Sequence, residues 1–282
     1  MGSRKPALKF SKMHALGNDF VVIDALTQHV EMTEERAQKI ANRHTGIGCD
    51  QILLIEAPSN PHIDFGYRIF NQDGSEVSQC GNGARCFAKY VSDRKLTGKN
   101  RIMVETRAGE MELQINKDRT FSVTLGIPNF QLDLIPYLGP CIESSACTLE
   151  IDADTLDFWL VSLGNPHAVI QVPSVTEAEV ERIGSALQQH PNFPESVNVG
   201  FMQVINRQEI RLRVFERGAG ETLACGSGAC AAVISGIKNG LLDSAVTVNL
   251  PLGQLTIEWA GQDQAVKLSG PATSVFHGQT RL

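Results

Sequence analysis

Apolar residues in this chain come in short, strand-sized runs with glycine, proline, asparagine or aspartate between them. In the first half, residues 51–56, 63–70, 101–105, 111–115 and 121–125 read as strands rich in Ile, Val and Phe. In the second half, 158–163, 168–172, 197–205 and 209–215 do the same, followed by 245–250, 255–259 and 265–268. Ile210, Leu212 and Val214 alternate, as one face of a half-buried strand does. Helices are fewer. Thr33 can cap one, with Glu34 and Glu35 in its first turn and Ala37, Ile40 and Ala41 turned inward. After Cys80, the residues Ala84, Phe87, Ala88 and Val91 mark one face of a second helix. Thr176 and Glu179 read as a capping box ahead of Val180, Ile183 and Leu187. A last helix follows Cys225, through residues 229–237. Strands outnumber helices without regular alternation, which predicts an α+β fold rather than a doubly wound parallel sheet.

The order of these elements occurs twice. Residues 68–84 (RIFNQDGSEVSQCGNGA) align without a gap on residues 213–229 (RVFERGAGETLACGSGA). Arg68/Arg213, Phe70/Phe215, Glu76/Glu221, Cys80/Cys225, Gly81/Gly226, Gly83/Gly228 and Ala84/Ala229 are identical. Upstream, Leu16-Gly17-Asn18 answers Leu163-Gly164-Asn165, each ahead of an apolar run. Chance similarity around glycine-rich turns would not keep one order through two such matches. The expectation is two homologous halves facing a common cleft, with a Cys-Gly-x-Gly element on each wall. Clefts between domains are favoured ligand sites. The half carrying Cys80 is assigned residues 1–126 plus 271–282, and the half carrying Cys225 residues 127–270. The bridge near 127–140, with Pro128, Pro136 and Pro140, is the expected connection.

Composition narrows the partners. The 282 residues suit two domains of ~100–150 residues each. Lys and Arg number 25 against 31 Asp and Glu, a net charge of −6. With no dense basic stripe, nucleic acid and anionic membrane are poor main partners, and small polar ligands remain. No apolar run approaches the ~18 residues of a membrane span, and Arg4 and Lys5 lead into no secretory signal. Met1–Pro6 is given no role. An odd number of cysteines, seven, reads as reduced thiols in a cytoplasmic protein. Without a Cys-x-x-Cys pair, and with His14, His44, His62 and His167 lacking metal spacing, no metal site is expected. Cys49, Cys86, Cys141, Cys147 and Cys230 read as small buried hydrophobes.

Cys80 and Cys225 stand apart because each precedes glycines at the start of a helix. A lone cysteine there is usually structural, but the repeated context favours chemistry. Helix starts expose free N–H groups and partial positive charge, so the thiols are expected to ionise near neutrality. The glycines let a carboxylate approach the backbone. Two such units around one ligand would set two thiols on opposite sides of one carbon. One thiolate could remove an α-proton while the other thiol reprotonates the opposite face, and the helix starts would steady the enolate. Other motifs are weaker. Gly226 to Ala231 matches a relaxed dinucleotide fingerprint but lacks its acidic partner and its βαβ setting. Ser227 is not in a nucleophile elbow.

The chain resembles the diaminopimelate epimerase family over essentially its whole length. The carrying motifs are Lys12 to Phe20 (KMHALGNDF), Cys80 to Cys86 (CGNGARC), Gly164 to His167 (GNPH), and Glu216 to Gly220 (ERGAG) leading through Leu223 to Gly228 (LACGSG). Ala15 stands where the family commonly has glycine, a departure expected to bear on a loop and not on the chemistry. The resemblance implies a cofactor-independent interconversion of LL- and meso-2,6-diaminopimelate, a late step toward lysine and peptidoglycan precursors. It also implies two pseudo-symmetric domains, each a curved, mostly antiparallel sheet around a central helix, usually in a cytoplasmic homodimer. By the matching motifs, Cys80 and Cys225 would be the two bases. The backbones of Gly81, Asn82, Gly226 and Ser227 would hold the reacting carboxylate. Asn18, Gln51, Asn71, Asn165, Asn198 and Arg217 would contact substrate. His167 and Glu216 would support the reacting amino group and the acid–base balance. Arg217 suits a bidentate carboxylate contact, and amides suit the ammonium and carboxylate of a distal amino acid.

Four rivals stand beside this reading. A proline- or hydroxyproline-type racemase shares the two-thiol logic but leaves Arg217 and the amides unexplained. A phenazine-biosynthesis-type isomerase would not need both thiols. A non-catalytic amino-acid binding protein has no use for paired thiols. A redox sensor would use the two cysteines as a disulfide, which here reads as an inactive form, since low-pKa thiolates oxidise readily.

Overall fold

The computed structural model describes residues 7–142, 146–151 and 154–281, so Met1–Pro6 lies outside the described residues. Two compact units divide the chain. The first runs to Val123 and resumes at Gly270, and the second spans Thr124–Ser269. Cys80 falls in the first and Cys225 in the second.

The first unit opens with β1 (Leu8–Ala15) and β2 (Asn18–Asp24), an antiparallel pair. Their turn uses Leu16 at φ 52° and Gly17 at φ 93°. The left-handed backbone falls on those two residues, so Ala15 ends β1 as a buried strand residue and needs no glycine there. A crossover through α1 (Glu34–Ala41) leads to β3 (Gln51–Glu56), parallel to β2. Val21, Val22 and Ile23 and then Ile52 to Ile55 are buried on both sheet faces, which is why both strands are unbroken apolar runs. Thr33 caps α1 as expected, accepting the Arg36 N–H at 3.3 Å. Next come β4 (Phe65–Asn71), antiparallel to β3, β5 (Glu76–Val77) and α2 (Gly81–Asp93). The unit continues through β6 (Arg101–Thr106), parallel to β4, with β7 (Gly109–Ile115) and β8 (Phe121–Thr124) following as antiparallel neighbours. Helix α2 is the centre: Ala84, Cys86, Phe87, Ala88 and Val91 are wholly buried, and the Phe87 ring packs 4.8 Å from that of Tyr67.

The second unit repeats this layout after its own hairpin. β9 (Cys141–Ile142), β10 (Ala146–Ile151) and β11 (Asp154–Ser162) run antiparallel, ahead of β12 (Pro166–Gln171). A crossover through α3 (Val180–Gln189) brings β13 (Asn198–Asn206) parallel to β12. β14 (Glu209–Glu216) returns antiparallel, followed by β15 (Gly220–Thr222) and α4 (Gly226–Lys238). β16 (Ala245–Leu250) then lies parallel to β14, with β17 (Gly253–Glu258) and β18 (Lys267–Gly270) antiparallel after it. Helix α4 is buried from Gly228 to Gly236, so each unit is a mostly antiparallel sheet built on one buried helix. The last strand, β19 (Thr273–Thr280), belongs to the first unit and pairs antiparallel with β1.

Two expectations are corrected. Thr176 and Glu179 form no capping box: α3 starts at Val180, its cap Glu179 makes no side-chain cap bond, and the Glu179 carboxylate instead accepts Arg182 at 2.6 Å. Thr176 Oγ1 meets Ser174 Oγ at 2.8 Å. The cysteines are not all thiols either. Cys141 and Cys147 face each other across β9 and β10, with Cα atoms 4.2 Å apart, and are joined as a disulfide. Burial of Cys147 in the core fits its apolar reading, but the hairpin register brings a second sulfur beside it.

Candidate active site

The two thiols cap the two central helices. Cys80 and Cys225 have extended backbones, at φ −150° and ψ 113° and at φ −118° and ψ 109°, typical of helix caps. The N–H of Gly83 donates to Cys80 Sγ at 3.4 Å, and that of Gly228 to Cys225 Sγ at 3.4 Å. Sulfur thus occupies the place that serine or aspartate oxygen usually takes. The first N–H groups of a helix have no acceptor within it, which suits those of Gly81, Asn82, Gly226 and Ser227 to an anion. The glycines answer space as well as charge. A Cβ on Gly83 would stand 2.4 Å from the Tyr67 hydroxyl, and one on Gly228 would stand 3.2 Å from Cys225 Sγ.

In the first unit, parallel and antiparallel register align Phe20, Gln51 and Asn71 across β2, β3 and β4. Gln51 Nε2 donates to Asn71 Oδ1 at 2.9 Å, while Gln51 Oε1 is buried with no donor among the described residues. Asn82 donates to Asn18 Oδ1 at 3.1 Å, and Asn18 donates to Asp50 Oδ2 at 2.9 Å. Behind them Asp19 takes Lys12 at 2.5 Å and two bonds from Arg43 at 2.7 and 3.0 Å. Burial works to raise the Asp19 carboxyl, but Arg43 and Lys12 outweigh it and hold it well below the usual carboxylate range.

In the second unit, His167 and Asn198 are register partners across β12 and β13. His167 is buried, and burial first, then the Arg217 cation, pushes it down to about 3. It is neutral at ordinary pH. Asn165 donates to Ser227 Oγ at 3.3 Å, so its Oδ1 faces His167 Nε2 at 3.2 Å. That pairing puts the imidazole proton on Nε2 and leaves Nδ1 as an acceptor. Asn198 donates to the Pro166 carbonyl at 3.0 Å and accepts the Arg217 N–H at 3.0 Å. The exposed Arg217 guanidinium reaches the Glu195 carbonyl at 3.0 Å. Glu216 accepts the Thr222 hydroxyl.

Cys225 departs from the expected neutral ionisation. Burial raises its thiol well above the ordinary range and the Glu216 carboxylate adds to this. The Ser227 hydroxyl, 3.6 Å from Sγ, and the Gly228 N–H oppose without prevailing. The helix start is present as expected, but a sulfur both buried and facing a carboxylate stays protonated.

Each unit therefore brings its expected residues together: Asn18 with Asn82, Gln51 with Asn71, and Asn165, His167, Ser227 and Cys225 in one run. Asp50 and Thr222 were not singled out from sequence. Asp50 adjoins Gln51, and its role depends on a strand pairing that local pattern does not reveal. Among the described residues, no three His, Cys, Asp or Glu side chains converge as a metal site requires.

The fold is shared with solved structures. A hydroxyproline epimerase from Agrobacterium vitis matches with a TM-score of 0.71 at 14% identity, over 98% of this chain and 93% of that one. A phenazine biosynthesis protein of the PhzF family from Bacillus anthracis matches with a TM-score of 0.71 at 19% identity, over 98% and 99%. The fold defines the class, a two-unit protein of the architecture shared by proline racemase-type and PhzF proteins. Within that class the chain belongs to the diaminopimelate epimerase family, whose description matches residues 10–131 and 159–275. The diaminopimelate epimerase of Teredinibacter turnerae is 53% identical over 275 residues, covering 98% of this chain and 99% of that protein. That of Pseudomonas syringae pv. syringae is 51% identical over 276 residues, with the same coverage.

Proposed function

We propose that this protein is an isomerase interconverting LL- and meso-2,6-diaminopimelate, by proton transfer at one α-carbon between Cys80 and Cys225 and without a cofactor. The observation that carries the reading is the doubled thiol cap, with a glycine N–H on each sulfur at 3.4 Å. Full-length likeness to diaminopimelate epimerases supports the substrate.

The Cys80 thiolate takes the α-proton, the C–H pair becomes the enolate of the substrate carboxylate, and the Cys225 thiol gives its proton to the opposite face. Cys225, held as the thiol by burial and Glu216, suits the donor role. Afterwards Cys80 is protonated and Cys225 ionised, ready for the reverse direction. The helix-start N–H groups of Gly81, Asn82, Gly226 and Ser227 steady the enolate oxygens. Neutral His167 offers Nδ1 to the reacting amino group, and Glu216 adjusts the charge beside it. Arg217, Asn18, Gln51, Asn71, Asn165 and Asn198 receive the rest of the substrate, with Arg217 on a carboxylate. On this reading the Cys80 half is residues 1–126 plus 271–282 and the Cys225 half residues 127–270, within a few residues of the two compact units. A cytoplasmic homodimer is the expected state. Among the described residues no helix is long and apolar enough to cross a membrane.

Proton NMR of the reduced protein in D2O tests the reading. Loss of the LL-diaminopimelate α-proton with growth of the meso isomer, and silence with L-proline, is the expected result. Exchange with proline instead would keep the thiol mechanism and overturn the substrate. No exchange with either, in folded and reduced protein, would overturn both.

A further inference from the structure

Two asparagines of the first unit lie on a line of hydrogen bonds that ends on a charge at each side. Arg85, wholly buried in α2, donates from Nη2 to Asn82 Oδ1 at 3.0 Å. Asn82 donates to Asn18 at 3.1 Å, and Asn18 to Asp50 Oδ2 at 2.9 Å. Asp50 is itself anchored: Oδ2 also accepts the Asp19 N–H at 3.0 Å, and Oδ1 accepts Arg43 Nη2 at 2.7 Å. An arginine only donates and an ionised carboxylate only accepts. Both amides between them therefore have one orientation, since turning either would set donor against donor or oxygen against oxygen. With its Oδ1 and one N–H committed, Asn18 has one amide N–H left to offer a ligand.

We propose that Asp50 is a positioning residue which, acting through Asn18 and opposed by Arg85 at the far end of the line, fixes Asn18 as a donor to a carboxylate of the amino-acid substrate. This rests on the function proposed above. In the second unit Asn165 is set between Ser227 and His167, both neutral, so its orientation is held without charge.

Asp50→Asn is the informative variant. Each Asp50 oxygen faces a donor, so an asparagine there must turn its NH2 toward Arg43 or toward Asn18 and Asp19. The expected result in full-length, reduced protein is a fall of about tenfold in kcat/KM for LL-diaminopimelate, carried mainly by KM. An Asp50→Asn/Asn18→Ala double variant should be no worse than Asn18→Ala, because both act at one group. Wild-type kcat/KM in Asp50→Asn, or losses that multiply in the double variant, would overturn the inference while leaving the function standing. Wild-type protein that exchanges no diaminopimelate proton would instead overturn the function. The line is then read from the Asn18 side-chain NH2 resonances in 15N-labelled protein. Resonances unmoved by Asp50→Asn would overturn it, and a clear shift would support it. Thermal melting of each variant separates a loss of positioning from a loss of fold.

Discussion

Glu216 occupies in β14 the place that Asn71 occupies in β4. Each follows an Arg-x-Phe triplet at the end of its strand, and each bonds a nearby hydroxyl, Thr222 in one repeat and Ser75 in the other. The repeats therefore match in architecture and differ in charge beside the thiol-capped helix. The carboxylate adds to the burial that keeps Cys225 protonated. Glu216→Gln should keep the Thr222 bond and remove the charge. In a Cys80→Ser background, alkylation of Cys225 by iodoacetamide at pH 8 should then become several-fold faster, as mass mapping of the modified peptide would show. An unchanged rate would mean that burial alone sets the thiol.

Removal of either thiol should abolish epimerisation in both directions. Cys80→Ala lacks one proton acceptor and Cys225→Ala the other, so losses of at least ~1000-fold are expected in each. Substantial turnover by either variant, followed by meso isomer formation, would refute the two-base assignment.

Arg217 is exposed and spends one guanidinium N–H on the Glu195 carbonyl. Its other donors remain for a carboxylate. Arg217→Met keeps an unbranched apolar stem and loses the charge, and should weaken diaminopimelate binding by about 30-fold or more, the cost of a charged hydrogen-bonded pair. Calorimetric titration reads this directly, and unchanged affinity would remove Arg217 from the binding set.

How much of this was legible depends on how local the cause is. The thiol caps were legible because cap, glycine pair and apolar helix face lie within a dozen or so residues of one another. β1 and β19 were missed because Leu8 to Ala15 mixes Lys, Ser and His with its apolar residues, and β19 exposes Val275 and Phe276. Neither shows a clean alternation. The capping box at Thr176 failed because Arg182 claims the Glu179 carboxylate. Asp50 needed the β2–β3 register, and the Cys141–Cys147 pair the β9–β10 register, neither of which sequence spacing encodes.

Gly83 tests how tightly α2 is seated. Its added Cβ would meet the Tyr67 hydroxyl at 2.4 Å and Leu53 Cδ2 at 3.0 Å, and both side chains are buried. Gly83→Ala should therefore destabilise the first unit by about 1–3 kcal/mol, despite the better helix propensity of alanine. Gly98→Ala, where nothing lies within 4 Å, is the control and should be near neutral. Differential scanning calorimetry compares the two, and equal melting would contradict the packing argument.

His167 gives the second unit a pH dependence of known sign. Its folded value, about 3, lies below the ordinary 6.5, so the folded state binds the proton more weakly than the unfolded chain. The stability it contributes is present above about pH 6.5 and is lost as pH falls from there toward 3. By pH 5 the loss from this one group should be about 2 kcal/mol. His167→Phe copies Phe20, which is the register partner of Gln51 as His167 is of Asn198, and it cannot titrate. The variant loses the Asn165 bond at every pH, so the readout is the slope and not the starting stability. Trp159 and Trp259 both lie in the second unit, and their fluorescence reports its urea unfolding locally. Between pH 7.5 and 5 the wild-type midpoint should drop more steeply than that of His167→Phe. Parallel declines would show that the buried imidazole is not what the acid limb reports.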